Sequence, residues 1–399
     1  MTWWTGAAVQ YRSTGVLEVV GPALRVPGSD QFMFVVGLIW LVVGLVALVA
    51  ALVVRTVRRR RDPEHRRRPP VVVGITVVVA LLGAGVAVAN RPLPFEAPEF
   101  PALPRLFPDS AFFYRPITDL PVRADSAATT GALRGPDGSP LQFRAGFGGV
   151  PYNNIVFGVP FNIVTDSTPR EKVHVTDPAN SSLGGPVPIT NPAYIESFPG
   201  YGYDNHYVGI DVDAGRMWEL ISTRRWFGHW SALSGVQWDL SDLRFPKGTS
   251  TGSGLPLFPG TVTYDQVASG TVDHAIIAAG PTNSPRFVWP ARFSDGTSTD
   301  PAAPPMGTWF RLRADAPVAD LPPQARVLAT ALQRHGMVLS DTAATFSLRG
   351  TPDRRWDVGQ LAALERFTAA DFEVVDASGV MVAPDSMEAK PPSAGSPTG

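Results

Sequence analysis

Two long apolar runs dominate the hydropathy pattern of the first quarter of this chain. Residues 32–54 and 71–89 are almost purely apolar, and each run is about as long as a helix that crosses a bilayer. An arginine-rich loop at residues 55–70 separates them. Because positive charge stays on the cytoplasmic side of a membrane, the pattern predicts a transmembrane hairpin over residues 32–90 with a cytoplasmic loop.

This hairpin determines where the rest of the chain is expected. The short segment at residues 1–31 and everything after residue 90 are predicted to be extracytoplasmic, which gives a plasma-membrane protein with two spans and both termini outside. The lipid bilayer is therefore an expected partner through residues 32–89, and small residues in the spans favour a membrane-protein partner as well. Residues 91–107 are rich in proline, which predicts an extended stalk.

Short apolar or alternating runs, separated by Gly, Pro, Asn and Asp, fill residues 108–380. They predict strands at residues 154–159, 206–212, 217–222, 260–264, 274–278, 287–289, 308–313 and 372–375. Two helices are predicted late, at residues 322–334 with Asp320 as cap and Gly336 at the end, and at about 358–367 with Asp357 as cap.

The expected architecture is mainly β. The pattern predicts an extracytoplasmic β-sandwich or jelly roll with two α-helices packed on an edge. Residues 381–399, rich in Pro, Ser and Gly, are predicted to form a disordered tail.

The clearest local unit is a β-hairpin at residues 206–222, in which Val208 and Ile210 share one face by the period of two. A three-residue loop places Trp218 opposite Ile210. A two-residue loop places Glu219 there and turns its carboxylate towards the apolar face.

Composition and motifs exclude several classes of function. The net charge of −1 combines the basic loop with an acidic remainder, so no nucleic-acid partner is predicted. The chain has no cysteine, which excludes disulfides and thiolate chemistry. It also has no HExxH zinc motif, phosphate loop, convincing dinucleotide fingerprint or G-x-S-x-G elbow, so neither a cofactor nor a metal is predicted.

Carboxylates are the best candidates for catalysis. Glycan cleavage requires two carboxyl groups, one of which is kept protonated by its surroundings. Glu219 lies among apolar residues and would have a raised pKa if it faced inwards, while His274 could act as a base and Asp300 as a partner. For each of these residues the alternative is a hydrogen-bonded structural role.

Aromatic side chains concentrate between residues 201 and 238, and sugars stack on such rings. The candidate ligand-binding residues in this region are Trp226, His229, Trp230 and His206. Packing in the core is the alternative for the tryptophans.

Several segments, in their order and spacing, resemble a family of secreted bacterial proteins that is common in actinomycetes and is uncharacterised. They include Phe107-Pro-Asp-Ser-Ala-Phe, Leu255-Pro-Leu-Phe-Pro-Gly, Asp273-His-Ala-Ile, Val288-Trp-Pro-Ala-Arg, Ser298-Thr-Asp-Pro-Ala-Ala-Pro-Pro-Met-Gly, His335-Gly-Met-Val-Leu-Ser-Asp and Pro352-Asp-Arg-Arg-Trp-Asp. The resemblance implies an exported domain and supplies no reaction. Members often carry a His after the segment that matches residues 288–292, where this chain has Phe293.

Three functional hypotheses follow. The first is a membrane-anchored module that recognises a cell-envelope glycan or a surface partner. The second is a glycan-cleaving enzyme that uses Glu219, His274 and an aspartate. The third is a structural scaffold of a membrane complex. Recognition is favoured because no complete catalytic signature is present.

Overall fold

The computed structural model describes residues 39–46, 49, 99–148, 158–196, 204–226 and 228–392. The strands are β1 (Phe143–Ala145), β2 (Asn162–Ile163), β3 (Arg170–Glu171), β4 (Val173–Val175), β5 (Val187–Pro188), β6 (Tyr207–Asp211), β7 (Arg216–Ile221), β8 (Arg224–Trp226), β9 (His229–Ala232), β10 (Ser234–Asp239), β11 (Ile276–Gly280), β12 (Trp309–Leu312), β13 (Met337–Thr342), β14 (Phe346–Leu348) and β15 (Phe372–Val375). The α-helices within residues 99–392 are α1 (Ser126–Gly131), α2 (Tyr264–Ala268), α3 (Pro323–Arg334) and α4 (Val358–Ala362).

The strands form two larger and two smaller sheets. A six-stranded sheet has the order β1-β14-β11-β13-β12-β15, and a four-stranded sheet has the order β10-β7-β6-β2. The smaller sheets are β4-β9-β8 and β3-β5. Parallel pairs, such as β11 with β13, occur beside antiparallel ones. The prediction of a mainly β fold is confirmed, but these mixed sheets confirm neither a β-sandwich nor a jelly roll.

Apolar side chains cover both faces of the six-stranded sheet because successive residues of a strand point to opposite sides. In β11, Ile276 packs into a first core with Leu328 of α3, while Ile277 packs into a second core on the other face. Helix α3 therefore covers one side of this sheet.

The four-stranded sheet lies on the far side of the second core. Val208 and Ile210 of β6 belong to that core together with Ile277 of the six-stranded sheet. Tyr207 points the other way, into a third core with Trp230 of β9. The four-stranded sheet is thus buried between the six-stranded sheet and a smaller one.

The β6–β7 hairpin has a longer loop than either predicted register. Val208 pairs with Glu219 and Ile210 with Met217, so residues 212–215 connect the strands. Both predicted pairings are therefore wrong. The observed pairing differs from the pairing of the two-residue loop by two positions along β7. An even shift keeps each side chain on the same face, so Glu219 lies on the face of Val208 and Ile210, as that register predicted.

Both predicted late helices form, although the second is α-helical only over Val358–Ala362 and continues as a 3-10 helix over Ala363–Arg366. Helix α3 follows Pro322 and stops before Gly336, whose φ of +68° is the left-handed conformation that ends many helices. Helix α4 is capped by Asp357, which accepts a hydrogen bond from the Gln360 backbone N–H at 3.0 Å. Asp320 does not cap α3, because the residue at its N-cap is Pro322.

Two predicted strands do not form. Residues 258–260 make a 3-10 turn and α2 begins at Tyr264, so the strand predicted at 260–264 is wrong. Phe287 makes only a single bridge, to Met306. Most of the strand predicted at 154–159 lies outside the described residues.

Chain segments outside the sheet cover both edges of the six-stranded sheet. Beside β15, Val122 bridges Val375, and the Arg123 N–H donates to the Val374 carbonyl at 2.8 Å. Beside β1, the Phe143 N–H donates to the Phe367 carbonyl at 2.9 Å. Some of the backbone groups at each edge therefore have partners within the chain.

The predicted membrane hairpin requires a correction. Within the described part of the chain, no helix has the length and apolar character needed to cross a membrane. The two-span plasma-membrane topology is therefore contradicted. Of the residues assigned to the hairpin, 39–46 and 49 are described and helical, and the others lie outside the described residues.

The segments predicted as stalk and tail contribute to the domain where they are described. Phe100 and Phe107, from the proline-rich segment, are buried in the second core. Met387, from the segment predicted as tail, is fully buried in the same core. Residues 91–98 and 393–399 lie outside the described residues.

Helix α3 provides a test of the first core. We expect Leu328→Ala to lower the free energy of unfolding by about 2–5 kcal/mol, because it removes a fully buried side chain and leaves a cavity. Thr330→Ala, on the exposed face of the same helix, should change it by no more than about 0.5 kcal/mol. Urea denaturation measures both. Equal effects of the two substitutions would contradict the assigned face.

Candidate functional site

Five charged side chains converge between the two larger sheets, and we refer to them as the charged cluster. They are Glu196, Asp204, His206, Asp341 and Arg349. His206 immediately precedes β6, Asp341 lies in β13, and Arg349 directly follows β14. A hydrogen bond of 2.9 Å from the Glu196 backbone N–H to the His206 carbonyl brings Glu196 beside the start of β6.

The imidazole of His206 is the centre of this cluster. Its Nδ1 makes a short contact with Glu196 Oε2, and its Nε2 donates to the Ser250 carbonyl at 2.9 Å. Burial alone would lower the pKa of His206, but the adjacent Glu196 carboxylate raises it to about 9. The His206 imidazolium in turn lowers the pKa of Glu196, against the effect of burial. The pair is therefore ionic at neutral pH.

Arg349 joins the three carboxylates. Its Nη1 lies 3.3 Å from Glu196 Oε1, and its Nη2 lies 3.8 Å from Asp204 Oδ2 and 3.7 Å from Asp341 Oδ2. Burial and the nearby charge of Asp204 raise the pKa of Asp341 to about 7, although Arg349 opposes this rise. Asp204 lies at the solvent side, with 43% of its side chain exposed.

Glu219, the predicted catalytic acid, is fully buried beside this cluster. Its carboxylate accepts four hydrogen bonds at 2.7–3.1 Å, from Trp238 Nε1, Ser250 Oγ and the backbone N–H groups of Leu257 and Phe258. Burial raises the pKa of Glu219 above its ordinary value, as expected for an inward-facing carboxyl group, and the hydrogen bonds from Phe258, Ser250 and Leu257 offset only part of this rise. A carboxylate with this many fixed donors and no exposed surface is typical of a structural role.

Ser250 links the two carboxylate systems. Its hydroxyl donates to Glu219, and its carbonyl accepts the hydrogen bond from His206. Two residues singled out from the sequence, Glu219 and His206, thus belong to one buried network. The sequence did not indicate Asp341 and Arg349 as their neighbours.

His274, the predicted base, lies elsewhere. It precedes β11 of the six-stranded sheet, whereas Glu219 lies in β7 of the four-stranded sheet. His274 lines a cavity of about 270 Å³ together with Arg105 and Asp273, which form a salt bridge of 2.6 Å. Burial lowers the pKa of His274, so the ring is neutral at pH 7. The structure does not bring Glu219 and His274 together in this cavity.

The other predicted residues are dispersed. Asp300 is exposed and accepts a hydrogen bond of 2.9 Å from the Ala302 backbone N–H. Trp230 is buried in the third core, with the Arg225 guanidinium 5.5 Å from its ring centroid. His229 is exposed. For Trp226 only the backbone, in β8, is described.

A surface groove that the sequence analysis did not identify lies on the six-stranded sheet. It has a volume of about 450 Å³, and its lining includes Phe287, Trp289, Trp309, Arg123 and Asp376. Phe287 is 52% exposed, while Trp309 is buried. We refer to this feature as the aromatic groove.

One residue that lines the aromatic groove carries a polar atom without a hydrogen-bond partner in the described part of the chain. The indole Nε1 of Trp309 is buried and has no hydrogen-bond partner among the described residues. The indole N–H of Trp289, by contrast, donates to the Ser386 carbonyl at 2.9 Å. A buried donor without an acceptor destabilises a fold by about 1–3 kcal/mol, so this N–H is a candidate donor to a ligand.

The sequence carried a partial signal for this groove. Trp289 belongs to Val288-Trp-Pro-Ala-Arg, one of the segments that resemble the secreted family, and Trp309 lies in a predicted strand. No local pattern indicated that Phe112 would pack edge-on against both tryptophans, with ring centroids 5.9 Å apart in each case.

Comparisons with protein-family models, curated proteins and solved structures found no match for this chain. The family resemblance therefore stays a prediction.

The His206–Glu196 pair predicts a specific pH dependence. The folded pKa of His206, about 9, exceeds its ordinary value of 6.5. Its contribution to stability is therefore complete below about pH 6.5 and is lost as the pH rises through 9. We expect the free energy of unfolding to fall across this window by up to roughly 1.4 kcal/mol per pH unit.

Urea denaturation at several pH values, with a chelator present, measures this slope. Glu196→Gln removes the partner charge and should flatten it. The raised pKa of Asp341 adds a loss of stability that is largely complete by about pH 7, below most of this window. Stability that does not change between pH 6.5 and 9 in the parent protein would contradict the ionic pair.

Proposed function

We propose that the protein is a recognition module that binds a glycan in the aromatic groove. The observation that carries this proposal is the buried, unpartnered Nε1 of Trp309 in a groove with aromatic walls. Sugars present apolar C–H faces that stack on aromatic rings, and hydroxyl oxygens that accept hydrogen bonds from indole N–H groups. The groove offers both kinds of contact.

The aromatic walls are held in place before any ligand binds. Trp289 is fixed by its hydrogen bond to Ser386 and by the edge of Phe112. Trp309 lies in β12, at the interior of the six-stranded sheet, and packs against the same phenylalanine. A prearranged site favours affinity, because less side-chain entropy is lost on binding.

The polar members of the groove suit hydroxyl groups. Hydrogen bonds from Ser378 lower the pKa of Asp376, so this carboxylate is ionised at neutral pH and acts only as an acceptor. Arg123 adds a planar set of donors at the same groove, although it also pairs with Asp125 at 2.6 Å. Donors and acceptors on a sugar ring can therefore both be satisfied.

Glycan binding in the aromatic groove fits the structure better than glycan cleavage by Glu219, His274 and Asp300. Glu219 and His274 are buried on different sheets, and Asp300 is exposed. In this proposal the scaffold is the pair of larger sheets, which share the second core in the manner of a β-sandwich.

A protein partner is the second candidate ligand. Large apolar side chains are exposed in or beside the groove, namely Val122, Phe287, Val288 and Val382. Exposed apolar groups that lie together mark interaction surfaces in many proteins. These exposed apolar side chains favour a protein ligand, whereas the indole N–H of Trp309 and the charged groups of the groove favour a glycan.

Trp309→Phe tests the proposal, because it keeps an aromatic ring and removes the unpartnered N–H. We expect binding of the full chain to purified cell-envelope polysaccharides to weaken roughly 10-fold, as measured by isothermal titration calorimetry. The matched control is Trp218→Phe, which removes a similar volume and an indole hydrogen bond of 3.2 Å to Gln237 on the four-stranded sheet. Its affinity should equal that of the parent.

Thermal unfolding of both variants ensures that they are compared in the folded state. Unchanged affinity of Trp309→Phe would contradict the assigned contact. If the parent binds none of these polysaccharides, the glycan proposal fails and the protein-partner candidate takes its place.

A further inference from the structure

The charged cluster contains donor atoms in an arrangement suited to a cation. One carboxylate oxygen each from Glu196 and Asp204 and one ring nitrogen of His206 lie within 4.8 Å of one another. Nitrogen and oxygen ligands bound at about 2.0–2.2 Å in a tetrahedral site lie about 3.3–3.6 Å apart. For all three donors to bind one ion, the wider separations would have to close by about 1 Å, and the short contact between His206 Nδ1 and Glu196 would have to open.

His206 is oriented as a metal ligand would be. Its Nε2 donates to the backbone carbonyl of Ser250 at 2.9 Å, which leaves Nδ1 facing the carboxylate of Glu196. Histidines that bind metals usually donate their second ring N–H to a carbonyl or a carboxylate, and this bond fixes both the tautomer and the ring plane. A cation bound by Nδ1 and the Glu196 carboxylate would replace the proton of the imidazolium at Nδ1.

A further observation, independent of these three donors, also indicates a ligand. Oδ2 of Asp341 is buried and has no hydrogen-bond partner among the described residues, and only 10% of this side chain is exposed. It lies 3.7 Å from Arg349 Nη2, and Asp204 Oδ2 lies 3.8 Å from the same nitrogen. The two oxygens are therefore at most 7.5 Å apart, the sum of those distances. Oδ2 of Asp341 thus faces the cluster without a hydrogen bond, and its charged neighbour there is the Arg349 guanidinium.

The net charge of the cluster also favours the binding of a cation. The carboxylates of Glu196, Asp204 and Asp341 carry three negative charges when ionised, and Arg349 carries one positive charge. A divalent ion that replaces the His206 proton would make the cluster neutral. Because Asp204 is 43% exposed, the site also has an approach from solvent.

We propose that the charged cluster is a binding site for one divalent transition-metal ion, with Glu196, Asp204 and His206 as ligands and Asp341 as an additional oxygen donor. Carboxylates suit Mn²⁺ and imidazole suits Zn²⁺, so a set of three oxygens and one nitrogen fits these two ions. This site is separate from the aromatic groove and does not depend on glycan binding.

The test is metal uptake by the full chain after it has been stripped with a chelator. Isothermal titration calorimetry with Zn²⁺ and with Mn²⁺ should show one ion bound per chain, and bound metal should raise the midpoint of thermal unfolding. Asp204→Asn and Asp341→Asn preserve side-chain shape and remove one ligand charge each. We expect each to weaken metal binding at least 10-fold.

Asp300→Asn is the matched control, since it removes the same charge from an exposed aspartate outside the cluster. It should bind metal as the parent does. If Asp341→Asn does not fold, Asp204→Asn decides the test, because its side chain is partly exposed. Failure of the parent to take up either ion, or uptake that Asp204→Asn leaves unchanged, would overturn the proposal.

Discussion

A single buried carboxylate holds together the region where the two larger sheets meet. Glu219 extends from β7 and accepts hydrogen bonds from Trp238 on the neighbouring strand and from the segment at residues 250–258. That segment carries Leu257 and Phe258, which pack into the second core beside Ile277 of the six-stranded sheet. Loss of the carboxylate would leave several donors buried without an acceptor, which is far more unfavourable than the net gain from forming any one of these bonds.

The same carboxylate shows what the sequence could and could not predict. Alternation along residues 206–222 was enough to place Glu219 on the inner face, because every second residue of a strand points the same way. Alternation carries no information about donors that arrive from residues 250–258, and these donors make Glu219 structural. The register failed for a related reason: loop length depends on the backbone conformation of residues 212–215, which several residue types adopt.

The charged cluster could not be predicted from local sequence patterns, because its members come from distant parts of the chain. Glu196 and His206 are ten residues apart, but Arg349 lies 153 residues beyond Glu196 and joins it only because β14 and β6 belong to sheets that meet there. Helix α3 was predictable because its signals are local: an apolar stripe, prolines at its start and a glycine after its end. The membrane hairpin was inferred from the length of two apolar runs and the charge of the loop between them. Neither property determines whether a long helix forms.

The covered edges of the six-stranded sheet have a consequence for how this protein associates with others. An open edge strand would present free N–H and carbonyl groups to the same strand of another copy and would favour stacking of sheets into aggregates. Val122 and Arg123 pair with β15, and Phe367 pairs with β1, so the chain itself already occupies part of each edge. A partner of this sheet therefore finds fewer free backbone groups and depends more on side-chain contacts, and the segment beside β15 also contributes Arg123 to the aromatic groove.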